Sequence, residues 1–297
     1  MRILITGASG HLGRRLVKAA CQAGHRVWAW TSPREVVTPH TDLNATFTSV
    51  ELTNPEHVAH AFLQVRPMAV IHAAAMSSMA DCYRDPVRAF RVNAEATRQL
   101  VGLCVAGVSR LIYLSTDLVF DGNRAPYQED DMPQPLSLYA KSKLDGERSV
   151  LHHPGHLVAR LSWLVGLGQP QRPLFLDKQI ASLKQGEPVD LFSDEWRTPL
   201  CINTAARALV HLAAGDHSGI LHMGGPERLS RHEMGCQLAR ILGVPQSLVH
   251  AVEQNQVKTP EARPHDVSLR SDRWRQIMPQ TEWPTYETAL KRELLIA

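Results

Sequence analysis

The chain has 297 residues, a formal charge of +3 at neutral pH and 44% hydrophobic residues. Near-neutral charge, with no block of like charges, argues against nucleic-acid or membrane-surface binding. The length suits one large α/β domain or a domain with a smaller lobe, and no apolar run approaches the ~18 residues of a membrane span.

Residues 2–6 form a short apolar run that leads straight into TGASGHLG. This start lacks the charged head, long apolar middle and small-residue cleavage site of a signal peptide. The five cysteines (Cys21, Cys82, Cys104, Cys201 and Cys236) are scattered, with no C-x-x-C pair. That spacing excludes a zinc ribbon and points to reduced thiols. The expectation is a soluble, cytoplasmic protein without a metal site.

Brief unbroken apolar runs at residues 2–6, 26–30, 69–72 and 110–115 alternate with helical patterns at 12–23, 55–65 and 86–106. That alternation predicts βαβ units and a parallel sheet covered on both faces. Gly24 follows the first helix and suits a left-handed cap. The glycines Gly7, Gly10 and Gly13 follow a strand and open a helix. There they permit a tight turn and bring backbone N–H groups close to a pyrophosphate. Ser9, His11, Leu12 and Arg14 belong to the same loop and helix start.

The end of the second strand reads WAWTSPRE, without an acidic residue at the position that would hold an adenosine ribose. Thr31, Ser32 and Arg34, with Arg14 near the same corner, suit a 2′-phosphate instead. NADP(H) is therefore favoured over NAD(H). The competing reading makes Arg34 a solvated loop charge and Glu35 the ribose contact.

In PLSLYAKSKLDGE a helix places Tyr139 and Lys143 four residues apart on one face. A strand follows at 157–161, and residues 166–173 read as a loop. Beyond lie a helix at 174–184, a strand at 189–192, a helix at 204–214 and a strand at 219–222. The next helix opens at Ser230 with Glu233 as a capping box. The fold class expected is α/β: a Rossmann-type doubly wound parallel sheet with a smaller C-terminal substrate-binding lobe. The dinucleotide domain is drawn at 1–165 and the lobe at 166–297, with segments near 200–225 returning to the core. The histidines His152, His153 and His156 fall in a helix-to-strand turn, where solvent exposure is expected rather than metal binding.

Together, TGASGHLG, HAAA at 72–75, Asn93 in RVNAEAT, STDLVFDG at 115–122 and Y-x-x-x-K resemble the extended short-chain dehydrogenase/reductase family. RTP at 197–199, HMGGPERLS at 222–230 and ARPHDVSL at 262–269 carry the resemblance through the second half. Within that family STD-x-VFDG ahead of Y-x-K-S-K resembles the dTDP-4-dehydrorhamnose reductases. The resemblance implies that Ala73, Ala74 and Ala75 form a wall beside the cofactor riboses, with Asn93 nearby. Glu51 and Leu52 stand where the family has Asp-Leu after its third strand, contacting adenine. His72 departs from the asparagine or glycine common in the wall motif.

The chemistry implied is hydride transfer to a ketone, with Tyr139 as proton donor. Lys143 would hold the nicotinamide ribose and lower the tyrosine pKa. Thr116 would donate to the carbonyl oxygen, with Ser115 the alternative because strand register decides which faces the site. Ser162 and Trp163 would meet the nicotinamide carboxamide, with core packing the competing reading for Trp163. Met76, Ser77, Ser78 and Asp117 would border the substrate, although Asp117 also suits a turn cap. Arg197 would hold a substrate phosphate or make an ion pair.

The leading function is an NADPH-dependent reductase of a keto group, with a 4-keto sugar nucleotide such as dTDP-4-dehydrorhamnose the favoured substrate. An epimerase or dehydratase with retained cofactor is the alternative. Asp117-Leu118, where dehydratases carry Asp-Glu, counts against the dehydratase. A third reading is an NADP-binding regulatory subunit resembling the β subunit of methionine adenosyltransferase. The partner expected is a small molecule, with a homodimer among the assembly states left open.

Overall fold

The computed structural model describes residues 1–33 and 44–295. The strands are β1 (Arg2–Thr6), β2 (Arg26–Thr31), β3 (Ala45–Ser49), β4 (Ala69–His72), β5 (Arg110–Thr116), β6 (Leu157–Leu161) and β7 (Leu164–Val165). They continue with β8 (Val189–Phe192), β9 (Trp196–Arg197), β10 (Leu200–Cys201), β11 (Gly219–Met223), β12 (Leu229–Ser230) and β13 (Val249–Val252). The helices are α1 (His11–Gln22), α2 (Pro55–Val65), α3 (Met79–Arg84), α4 (Pro86–Phe90), α5 (Ala96–Ala106) and α6 (Leu138–Leu151). Then come α7 (Phe175–Lys184), α8 (Ile202–Ala214), α9 (Arg231–Leu242), α10 (Asp272–Ile277) and α11 (Tyr286–Leu294).

Seven strands form one sheet in the order β11-β6-β5-β4-β1-β2-β3, with parallel pairing from β5 through β4, β1 and β2 to β3. This is the doubly wound arrangement, in which strand order reverses between β1 and β4 and leaves a crevice beyond the strand ends. The central strands are buried on both faces: Ile3, Leu4, Ile5, Ala69, Val70, Ile71, Leu111 and Ile112 show no exposure. Their unbroken hydrophobicity follows from helices covering each side. β3, at the sheet edge, is only partly buried. Its sequence ATFTS therefore carries no apolar run, and only the resemblance implied a strand ahead of Glu51.

The single helix expected over 86–106 is divided. α4 starts on Pro86 with Asp85 capping it, and a π-helical turn, Arg91–Glu95, separates it from α5. The Ala96 N–H reaches back to the Arg91 carbonyl, so one extra residue enters the turn. The side-chain amide of Asn93, in that turn, bonds the N–H and the carbonyl of Met76 and the hydroxyl of Ser142, which offsets the lost helical register. Gly24 takes φ +76° after α1, and Ser230 and Glu233 close the expected capping box at α9.

Two compact units interleave along the chain. The first comprises 1–119, 137–160 and 205–221, and the second 120–136, 161–204 and 222–297. The first holds the sheet core with Trp30, Val58, Phe62, Leu100 and Tyr113. The second packs Leu176, Leu183, Leu191, Met234, Leu238, Tyr286 and Leu290 around β8, which pairs in parallel with β13. Among the described residues no helix is long and apolar enough to cross a membrane.

Candidate functional site

The loop after β1 is shaped by close backbone contact. Gly7 has φ +65°, and a Cβ there would lie 2.7 Å from the backbone of Ala74. A Cβ on Gly13 would stand 2.0 Å from the Gly7 carbonyl oxygen. The Ala8 N–H donates to the Trp30 carbonyl and the Gly10 N–H to that of Gly7, seating the loop against the end of β2. α1 follows Gly10 without a side-chain cap and with no acidic residue in its first turn. Its N-terminus is thus open to an anion, as a pyrophosphate requires.

Leu12 and Gly13 are buried, whereas Ser9, His11 and Arg14 are partly exposed at the loop. Thr31 is buried at the end of β2 and Ser32 follows it. Arg34 and Glu35 lie outside the described residues. Glu51 accepts from both the backbone and the hydroxyl of Thr53, and Leu52 packs on the first core. Ala73, Ala74 and Ala75 follow β4 with partial exposure.

The wall and the helix carrying Tyr139 meet through Asn93. Its Oδ1 accepts from the Met76 N–H at 2.9 Å, and its Nδ2 donates to the Met76 carbonyl at 3.0 Å and to Ser142 Oγ at 2.9 Å. Ser142 donates in turn to the Tyr139 carbonyl. Ser77 is exposed, and Ser78 caps α3.

At the carboxyl end of β5 the two hydroxyls separate. Thr116 neighbours the Tyr139 phenol; it donates to Asp117 Oδ1 at 3.2 Å and accepts from the Leu118 N–H. Ser115 Oγ is buried without a hydrogen-bond partner. That orphaned hydroxyl, the uncapped helix start and the glycine contacts all fit a bound dinucleotide, which would be held along Gly7, Gly10, Gly13 and the Ala73–Ala75 wall. Asp117 is 4% exposed in the one-turn helix that follows β5.

Burial, with the Asp117 carboxylate adding to it, pushes the Tyr139 phenol up; the Thr116 hydroxyl opposes this only in part. Lys143 is itself pulled down to about 7 by burial, with Glu147 offsetting part of that cost. It is 2% exposed, and its Nζ sits 3.9 Å from the centre of the Tyr113 ring. Glu147 and Arg160 form a fully buried pair at 2.8 Å. Sequence reasoning singled out none of Tyr113, Glu147 or Arg160. The available signal was a glutamate and an arginine embedded in otherwise buried stretches.

Ser162, Trp163 and Arg197 lie in the second unit. Ser162 Oγ accepts from the Thr198 N–H, and Trp163 stacks on Tyr286 with centroids 6.3 Å apart. Arg197, 3% exposed, pairs with Glu195 at 3.1 Å. Glu195 also receives Arg231 and Arg263. His156 departs from the exposure expected of it: it is buried, with Nδ1 accepting from the Leu111 N–H, while His152 is exposed. Among the described residues no cluster suits a metal.

A family model described as the RmlD substrate binding domain matches residues 1–295. The chain is 32% identical over 291 residues to a probable dTDP-4,6-dihydroxy-2-methyloxan-3-one 4-ketoreductase of Streptomyces antibioticus, covering 95% of this chain and 92% of that one. It is 29% identical over 300 residues to methionine adenosyltransferase 2 subunit beta of Danio rerio, covering 99% and 90%. The crystal structure of a hypothetical dTDP-4-dehydrorhamnose reductase from Sulfolobus tokodaii superposes with a TM-score of 0.84 at 31% identity, covering 96% and 97%. Solved proteins of this fold hold NADP in one case and NAD in others. The family match leaves almost nothing of either unit outside it: the chain belongs to the RmlD substrate binding domain family and is an NAD(P)-dependent oxidoreductase of the extended short-chain dehydrogenase/reductase type.

Proposed function

We propose that the chain reduces the 4-keto group of a nucleotide-linked sugar, drawing on NADPH in preference to NADH. The observation that carries this is Thr116 at the end of β5 beside the Tyr139 phenol, with Lys143 buried one turn further along α6. The sugar-nucleotide class is supported by the names of its relatives, among them a dTDP-4-keto-6-deoxy-D-glucose reductase of Streptomyces niveus. The NADPH preference is supported by the hydroxyls of Thr31 and Ser32 with Arg14 and Arg34, which suit a 2′-phosphate.

The dinucleotide that Gly7, Gly10, Gly13 and Ala73–Ala75 would hold would supply the hydride to the carbonyl carbon. Thr116 would turn the hydroxyl proton it gives Asp117 to the carbonyl oxygen and fix its direction. As negative charge develops there, Tyr139 releases its phenolic proton to that oxygen. An alkoxide is far more basic than a phenolate, so the raised phenol pKa does not block the transfer. It keeps the donor protonated instead. Lys143 would bond the ribose hydroxyls, and its charge would stabilise the phenolate left behind.

The test is oxidation of NADPH and NADH across nucleotide-linked keto sugars and simple aldehydes or ketones. Consumption matching product one for one, faster with NADPH and confined to nucleotide-linked sugars, is expected. A cofactor that stays with the protein through gel filtration and is never consumed would favour the epimerase or dehydratase reading. The near full-length similarity to methionine adenosyltransferase β subunits favours a second reading, a dinucleotide-binding regulatory subunit. Under it Tyr139→Phe leaves the biological activity intact.

A further inference from the structure

His72 ends β4 with no exposure, one residue before the alanine wall. Burial, with the Lys143 charge adding to it, lowers its pKa to about 3, so the imidazole is neutral at physiological pH. Which nitrogen holds the proton follows from its neighbours. Nδ1 lies 2.6 Å from Thr6 Oγ1, and Nε2 lies 3.0 Å from Thr97 Oγ1. Thr6 Oγ1 already accepts from the Ala74 N–H at 3.1 Å, and Thr97 donates to the Asn93 carbonyl at 2.8 Å.

With the proton on Nε2, His72 donates to Thr97 and accepts from Thr6, and each hydroxyl uses its own proton. With it on Nδ1, the Thr6 hydroxyl would face two donors and have no acceptor for its hydrogen. The Tyr113 ring lies tilted 40° to the imidazole at 5.6 Å, and its hydroxyl also donates to the Asn93 carbonyl. An orphaned buried hydroxyl costs more than the bond it fails to make.

We propose that His72, neutral and protonated on Nε2, is a positioning residue that fixes both walls of the cofactor crevice. Through Thr6 it ties the residue before Gly7 to Ala74, where the two backbones are in contact. Through Thr97 it ties β4 to the π-helical turn, whose Asn93 holds Met76 and α6. The inference rests on reading Ala73–Ala75 as the cofactor wall.

The full chain labelled with 15N-histidine, followed by NMR from pH 8 to pH 5, should show one imidazole with bare Nδ1 and protonated Nε2 that does not titrate. That signal should vanish in His72→Asn. The amide oxygen introduced by His72→Asn overlays the imidazole Nδ1 and still accepts from Thr6, so this variant should bind NADPH within about threefold of the parent. His72→Phe leaves the Thr6 hydroxyl without an acceptor and should weaken NADPH about tenfold or more at an unchanged circular-dichroism spectrum. If His72→Phe does not fold, the NMR signature still decides. A titrating or Nδ1-protonated His72, or equal NADPH affinity in the Phe and Asn variants, overturns the proposal. Absence of dinucleotide binding by the parent chain overturns the cofactor reading as well, which separates the two failures.

Discussion

Two buried charge clusters, one in each unit, are built on opposite terms. In the second unit Glu195 is surrounded by Arg197, Arg231 and Arg263 at 2.8–3.1 Å. Burial alone would push its carboxyl up, but the three guanidiniums outweigh that and hold it at about 2. In the first unit Lys143 is also buried, yet it faces an aromatic ring while the nearby Glu147 is paired with Arg160. Its pKa falls to about 7. One cluster compensates its carboxylate fully and braces a lobe. The other leaves a cation under-compensated, as suits the tuning role proposed for Lys143. An over-satisfied lysine would have little effect on its neighbours.

The sharpest test of the contrast is Tyr139→Phe. It removes the proposed proton donor and leaves the Lys143 environment in place. Turnover should fall roughly 10²–10⁴-fold, while the NADPH dissociation constant stays near that of the parent. A loss of cofactor binding in step with turnover would instead place Tyr139 in the cofactor site rather than at the reacting oxygen.

Glu195→Gln asks the same of the bracing cluster. Three guanidiniums lose their shared counter-charge in a site where Glu195 itself has no exposure. Breaking a buried pair in this way costs about 3–5 kcal/mol, read by urea unfolding. The sign in pH follows from the depressed carboxyl pKa. Its contribution is fully present above the ordinary value of 4.5 and is lost as pH falls toward about 2. The Gln variant should lack that acid-side slope. An unchanged acid midpoint would show that Glu195 does not hold the cluster together.

What was legible in the sequence divides along the same line. TGASGHLG and Tyr139–Lys143 could be read because each works through residues adjacent on one turn or one helix face. The sheet could be read because strands buried on both faces keep unbroken apolar runs. Edge strand β3 could not, since it is only partly buried and needs no such run. Nor could the His72–Thr97–Asn93 connections, which join residues 25 and then 4 positions apart through a π turn that leaves no compositional mark. The one available flag was a histidine closing an apolar strand, since buried polar groups must find partners. The upward push on the Tyr139 phenol was not legible either, because it comes from burial and Asp117, and burial is not a property of spacing.

Lys143→Met addresses the cost of the under-compensated cation. The folded pKa, about 7, lies below the ordinary 10.5, so between those values the unfolded chain binds a proton that the folded chain does not. Stability of the parent should therefore rise with pH across that window. The Met variant should lose the slope and be more stable below pH 7 by ~1 kcal/mol or more, while losing turnover. Equal stability profiles would mean that the buried ammonium carries no net cost.

The smallest effect expected concerns what little compensation Lys143 has. The Tyr113 ring lies under the ammonium, and its hydroxyl donates to the Asn93 and Lys143 carbonyls at 3.1 and 3.3 Å. Its seat is close-packed, since a Cβ on Gly146 would stand 2.4 Å from that hydroxyl. Tyr113→Phe keeps the ring and loses the hydroxyl; Tyr113→Leu loses both. If the quadrupole of the ring helps keep the lysine charged, the attraction is worth about 0.5–2 kcal/mol. Removing it should shift the alkaline limb of kcat/KM, which reports the free protein, downward by up to about one pH unit. Tyr113→Phe should leave that limb where it is. A limb that moves equally in both variants would assign the effect to the hydroxyl and its two carbonyls, and the ring would then be packing alone.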